Sequence, residues 1–356
     1  MIARLAFTAI FFVGFEALLF HTSIYPSLLA PESTTGKMEI RLRDEQRRAK
    51  KDHNQILGIG DSRMALVPRI ANETSSETGY TYASISLGGI MPRCWYYALR
   101  TADPTAHAYT AIVMSTNDYN EPDNPEDVRD RESDLHYLGA RLTLRDLPVF
   151  PWTYHDTGLQ WIVVRDMLLK GLLYKRDFQV FLVNPVARIH DIREWDKNSV
   201  EWLNNFAAPE QSLDGLEIDW RHRTARFPDR FTPELRQNII DSLLHAPYPQ
   251  NGVFTEYLVE SYARVLNYYR GSGTKLIFLR VPRAPVPLPD EPPKLNSAVR
   301  RLAREPNVVL LDEHLFDSLE RPEFFHDAWH LNRVGLDRFS RILAVEIRKV
   351  LGPPKS

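Results

Sequence analysis

The sequence predicts an α/β protein: a three-layer sandwich around a central parallel sheet, with a mid-chain insertion and an N-terminal transmembrane helix. Three observations predict it. Five short apolar runs, rich in β-branched residues, are bounded by polar or glycine turns, as buried strands are. Helical patterns lie between several of them, and strands alternating with helices make a parallel sheet covered on both faces. The chain has 356 residues, 44% of them hydrophobic and 25% charged, which suffices for one large domain or two small ones.

The chain opens with "MIARLAFTAIFFVGFEALLF". Ile2 to Phe20 is mostly apolar and close to the length that a bilayer core demands. Arg4 lies at the end and can snorkel, whereas Glu16 is costly within a bilayer. A cleaved signal peptide and a plain buried helix are the rival readings. With no small-x-small site soon after Phe20, residues 1–21 read as an uncleaved anchor, N-terminus inside and the remaining chain extracytoplasmic. Residues 22–54 read as a linker with Pro26, Pro31 and Gly36, followed by a charged helix. Its basic run, "KMEIRLRDEQRRAKK", is a solvated helix face or a contact for lipid headgroups.

Residues 55–352 read as the α/β domain. The strand runs are "QILGIG" (55–60), "YTYASISL" (80–87), "YTAIVMST" (109–116), "TKLIFLRV" (274–281) and "NVVLLDE" (307–313). Helical patterns occupy "CWYYALRTA", "TEYLVESYARVLNYYR", "KLNSAVRRLARE" and the closing "LDRFSRILAVEIRKVL". Residues 120–250 break this rhythm and read as an insertion or cap. Its tryptophans line a substrate cleft or, the favoured reading, fill a small core. Its apolar run "LQWIVVRDMLLKGLLY" carries Arg165, Asp166 and Lys170, so it is a packed amphipathic helix or one lying on a membrane surface. The formal net charge of −2 provides no global field for nucleic acid. The single cysteine, Cys94, excludes an intramolecular disulfide.

In an open α/β sheet, ligands sit at the carboxyl ends of the strands. The first strand is followed there by Gly60-Asp61-Ser62-Arg63, the second by Gly88-Gly89, and the third by Ser115-Thr116-Asn117-Asp118. After the fifth comes "FFHDAWHLNRVGLDRFS", with Asp327 and His330 three apart. A serine hydroxyl is a poor nucleophile until a base takes its proton, and histidine titrates near the operating pH. A carboxylate at Asp327 can fix the imidazole tautomer. Three apart on one helical turn, the two side chains would project to neighbouring directions.

This order of blocks resembles the SGNH (or GDSL) hydrolase superfamily over about residues 55 to 350, the insertion apart. "D-x-x-H-L-N-x-x-G" leading into an amphipathic helix is the most specific part. The resemblance implies a flavodoxin-like sandwich, Ser62 as nucleophile, His330 as base and acid, and Asp327 as its orienting group. It implies an oxyanion hole from the backbone N–H of Ser62, a glycine-turn N–H (Gly89 in preference to Gly88) and the Asn117 amide. Two departures stand out. Ser115 occupies the place of a glycine two residues before the asparagine, and Arg63 stands where many members carry something smaller or uncharged. Arg63 is a surface arginine or, with Gly88, a contact for substrate, in the arginine's case for an anionic part of it.

This chemistry calls for no cofactor and no metal. "HDAWH" (326–330) does mimic a zinc-binding H-E-x-x-H, with Glu346 as a possible third ligand, but that reading leaves the serine block unexplained. A Ser-His pair with an oxyanion hole performs acyl transfer, to water as an esterase or to another hydroxyl as an acyltransferase. An anchored, extracytoplasmic layout resembles proteins acting on acyl, chiefly acetyl, esters of cell-envelope carbohydrates, sometimes beside a multi-spanning membrane acyltransferase. The alternative is a non-catalytic polysaccharide-binding or envelope assembly protein of the same fold.

Overall fold

A computed structural model describes residues 2–49, 54–65, 68–120, 130–205, 209–245, 253–289 and 297–354. Helices α1 (Ile2–Phe20) and α2 (Thr34–Ala49) come first. Strand β1 (Gln55–Ile59) leads through the short turn of helix α3 (Ser62–Ala65) to α4 (Pro68–Thr78), β2 (Thr81–Ser84), α5 (Pro92–Ala102) and β3 (Ala111–Thr116). The mid-chain segment carries α6 (Ser133–Leu138), α7 (Thr157–Leu168), α8 (Lys170–Leu173), α9 (Lys175–Val183), α10 (Pro185–Asn205), a small hairpin of β4 (Glu217–Asp219) with β5 (Thr224–Arg226), and α11 (Pro233–Leu243). Then follow α12 (Val253–Tyr268), β6 (Lys275–Arg280), α13 (Ala298–Leu302), β7 (Val308–Leu310) and α14 (Arg333–Leu351).

All five expected runs are strands, and they form one parallel sheet in the order β2-β1-β3-β6-β7. Alternate side chains of a strand point to opposite faces, and here both faces are buried. Leu57, Ile59, Ile112, Met114, Leu276 and Phe278 meet the layer that contains α5 and α12. Ile56, Val113, Ile277 and Leu279 meet the layer built on α14, which contributes Leu336, Phe339, Leu343 and Ile347. That two-sided burial is why the strands read as continuous apolar runs. β2 lies on one side of β1 and β3 on the other, so the winding reverses there. A crevice opens at such a reversal, between the carboxyl ends of β1 and β3.

The mid-chain segment is not a separate cap. Tyr137, Leu138, Phe150, Leu159 and Val163 join the core on one face of the sheet; Leu213, Leu216, Phe231 and Ile239 join the core on the other. Trp152 and Trp161 do not fill a core, whereas Trp220 packs against the core on the α14 face. Trp152 and Trp161 are exposed, and Trp195 and Trp220 are half-buried; phenylalanine and tyrosine take the interior positions instead. The apolar run from Leu159 breaks at Leu169 into α7 and α8, and α7 turns Leu159, Val163 and Met167 inward as a packed helix.

The expected N-terminal anchor, residues 1–21, is not supported. Among the described residues, no helix is long and apolar enough to cross a membrane. The later part of α1 is instead engaged by the protein. Glu16 is buried, and its carboxylate accepts the Gly171 backbone N–H at 2.9 Å. Phe20 packs edge-on against Tyr25 and Phe178. The acid that would be costly in a bilayer is thus a capping ligand for α8.

The tips of β1 and β3 approach closely because Gly60 has no side chain. A Cβ at Gly60 would run into the Ser115 hydroxyl and lie 3.0 Å from the Ser115 Cβ. Gly60→Ala is therefore expected to cost about 1–3 kcal/mol, as overpacked cores do, with a matching fall in Tm. Adding Ser115→Gly should recover most of it.

Candidate active site

The crevice collects the predicted side chains. Ser62 opens α3 directly after β1, half-buried, and its Oγ lies 2.7 Å from His330 Nε2. His330 Nδ1 lies 2.8 Å and 3.0 Å from the two carboxylate oxygens of Asp327. Asp327 and His330 do not share a helical turn, contrary to expectation. They lie in a loop before α14, closed by a bridge between Phe325 and Leu331 and by the His326 N–H donating to the His330 carbonyl. Asp327 itself folds this loop, its Oδ1 accepting the backbone N–H groups of Trp329 (2.8 Å) and His330 (2.7 Å).

The rest of that motif positions the loop. Asn332 caps α14 by accepting the Gly335 N–H, and its amide donates to the Glu323 carbonyl. Gly335 is obligatory for space, since a Cβ there would collide with the Phe324 carbonyl.

Electrostatics suit a base held in one tautomer. Burial alone would raise the Asp327 carboxyl, but the hydrogen bond and charge of His330, with the two backbone N–H groups, pull it down to about 2. Asp327 is an anion throughout the neutral range and accepts from Nδ1, leaving Nε2 to take the serine proton.

Arg63 belongs to the site's scaffold. Its side chain is 12% exposed, and its guanidinium grips Asp61 with Nε and Nη2 while Nη2 also donates to Asn117 Oδ1. Asp61 in turn accepts the Arg63 backbone N–H at 2.9 Å. Burial would raise the Asp61 carboxyl, but Arg63 holds it below its ordinary value. With the carbonyl oxygen of Asn117 occupied, its NH₂ is the end left for a substrate oxygen. Arg63 also lines a shallow cleft with Val281, Pro282, Trp329 and Leu331.

The loop carrying Asn117 is pinned from three sides. Arg283 donates to Asp118 Oδ2, Asp118 Oδ1 accepts the Asn120 N–H, and the Tyr119 hydroxyl lies 2.9 Å from the Phe278 and Leu311 carbonyls. Arg283 is itself gripped by the buried Glu320. Gly88 and Gly89 form a turn closed by the Ile90 N–H donating to the Leu87 carbonyl. Gly88 faces Ser62, and a Cβ on it would lie 3.7 Å from the Ser62 Cβ. Among the described residues, no acceptor meets the backbone N–H of Ser62, Gly88 or Gly89. Arg283, Glu320 and Tyr137, which bonds the glycine turn, carry no motif and were not legible in the sequence.

The metal reading has a geometric basis: ligand atoms of His326, Asp327 and His330 lie within 4.8 Å of one another. Both ring nitrogens of His330 are nevertheless engaged by Ser62 and Asp327, and Glu346 pairs with Lys349. The residues fit a proton relay better than a ligand set.

No family model matches the chain, and no curated protein is detectably similar to it.

Asp327→Asn is expected to lower kcat by about 10³- to 10⁴-fold, the cost of losing the tautomer. Because the folded carboxyl sits near 2 against an ordinary 3.8, its ionisation stabilises the fold above about pH 4 and that contribution fades towards pH 2. The Tm gap between wild type and Asp327→Asn should therefore shrink across that window. Arg63→Ala should cost up to about 10²-fold in kcat, the scale of one oxyanion donor. Arg63→Lys should not restore it, because a point charge cannot grip Asp61 and Asn117 together.

Proposed function

We propose that the protein is a serine esterase or O-acyltransferase of the SGNH type, acting on carboxylic esters through Ser62, His330 and Asp327. The observation that carries this is the unbroken relay from the Ser62 hydroxyl through both ring nitrogens of His330 to Asp327. Ser62 Oγ attacks the ester carbonyl as its proton passes to His330 Nε2, and Asp327 stabilises the imidazolium. The carbonyl oxygen becomes an oxyanion met by the N–H of Ser62, the N–H of Gly89 and the Asn117 amide. The imidazolium returns its proton to the departing alkoxide, leaving an acyl-serine. Water or a second hydroxyl, deprotonated by His330, then takes the acyl group.

The case for a cell-envelope acceptor rested on the N-terminal anchor and falls with it.

The test is direct. Purified full-length protein should hydrolyse an acetyl p-nitrophenyl ester and take a fluorophosphonate on Ser62. Ser62→Ala should abolish both, and His330→Ala should lower turnover by at least about 10³-fold. Equal turnover by all three proteins, or loss of activity with EDTA but not with the serine reagent, would sink the proposal.

A further inference from the structure

The glycine turn beside Ser62 is held from the mid-chain segment. The Tyr137 hydroxyl, on α6, donates to the Gly88 carbonyl at 2.5 Å. In a trans peptide the carbonyl and the N–H point in opposite directions, so this bond directs the Gly89 N–H away from Tyr137. Gly89 has a φ of +76°, a conformation that L side chains rarely adopt. A Cβ there would come within 2.9 Å of the Tyr137 hydroxyl. The turn therefore lies between Tyr137, which covers Gly89, and Ser62, which faces Gly88.

Tyr137 is itself immobilised. It is 8% exposed, and its neighbours Leu135 and Leu138 are in the core. Asp134, one turn back on α6, forms a fully buried ion pair at 2.6 Å with Arg93. Arg93 lies in the first turn of α5, the helix into which the glycine turn feeds, and its guanidinium stacks 3.9 Å over the Tyr154 ring. Burial raises the Tyr137 phenol above its ordinary value, so the hydroxyl remains a donor at working pH.

We propose that Tyr137 is a positioning residue of the oxyanion hole: its hydroxyl locks the Gly88–Gly89 peptide so that the Gly89 N–H faces the tetrahedral intermediate. This rests on reading Ser62 as the nucleophile, and it gives the inserted segment a part in the chemistry. Loss of the lock leaves substrate binding intact and weakens only what resembles the transition state.

The experiment compares wild type, Tyr137→Phe and Tyr97→Phe in the full chain. Tyr97 is a control from the same core, with a buried hydroxyl that has no partner among the described residues. Tyr137→Phe should lower kcat for the acetyl ester by about 10- to 100-fold with KM unchanged. Inhibition by a boronic acid, which forms a tetrahedral adduct on the serine, should weaken by a similar factor. Tyr97→Phe should change neither, and both variants should stay folded, with only Tyr137→Phe lowered in Tm by the hydrogen bond it loses. Unchanged kcat and boronate inhibition in Tyr137→Phe, with active wild type, would overturn the lock and leave the nucleophile standing. A fall in kcat without weaker boronate inhibition would make Tyr137 merely structural and would also overturn it. Wild type that neither hydrolyses the ester nor labels at Ser62 would overturn both readings together.

Discussion

The site depends on one contact, the 2.7 Å hydrogen bond between Ser62 and His330, which joins residues 268 positions apart. Neither side chain's own segment can create it. Ser62 is delivered by β1, a buried strand between β2 and β3. His330 is delivered by a loop whose place is set by α14 packing Leu336, Phe339 and Leu343 on one sheet face. A shift of about 1 Å in that packing would break the hydrogen bond between Ser62 and His330. The apolar core thus acts as the ruler for the polar contact.

Charge around the crevice is used for placement. Arg63 ties the serine turn to Asn117 across the gap between β1 and β3, and Arg283 with Glu320 ties the same loop to the end of β6. Buried ion pairs contribute little net stability once desolvation is counted, but breaking one is costly because a charge is left unpaired. Such pairs suit a function that needs fixed geometry. The pair of Arg93 with Asp134 does the same for Tyr137, so the Asn117 loop and the glycine turn are each held by a side chain from another part of the fold.

Much of this was legible from the residues. The five strand runs were readable because a parallel sheet buried on both faces demands continuous apolar runs, and the blocks at their carboxyl ends were readable because the crevice must form there. Ser115, which stands where the resemblance calls for a glycine, is accommodated by Gly60 just past the end of the neighbouring strand. The N-terminal run misled because hydropathy does not register that Glu16 has a backbone partner in α8. The tryptophans misled because bulk alone does not decide which aromatic goes inside.

By itself the sequence determined the sheet and the order of the blocks, which follow from local periodicity; it offered Ser62, His330 and Asp327 as candidates through side-chain chemistry, and Asn117 through resemblance alone. Only the tertiary structure decided the partners. Arg63 turns to Asp61 and Asn117 instead of standing free, Asp327 folds a loop instead of riding a helix, and Tyr137 reaches a turn 49 positions away. The physical reason is that a hydrogen-bond partner supplied by a distant segment leaves no periodicity in the chain; it exists only once packing has brought the two segments to within about 3 Å.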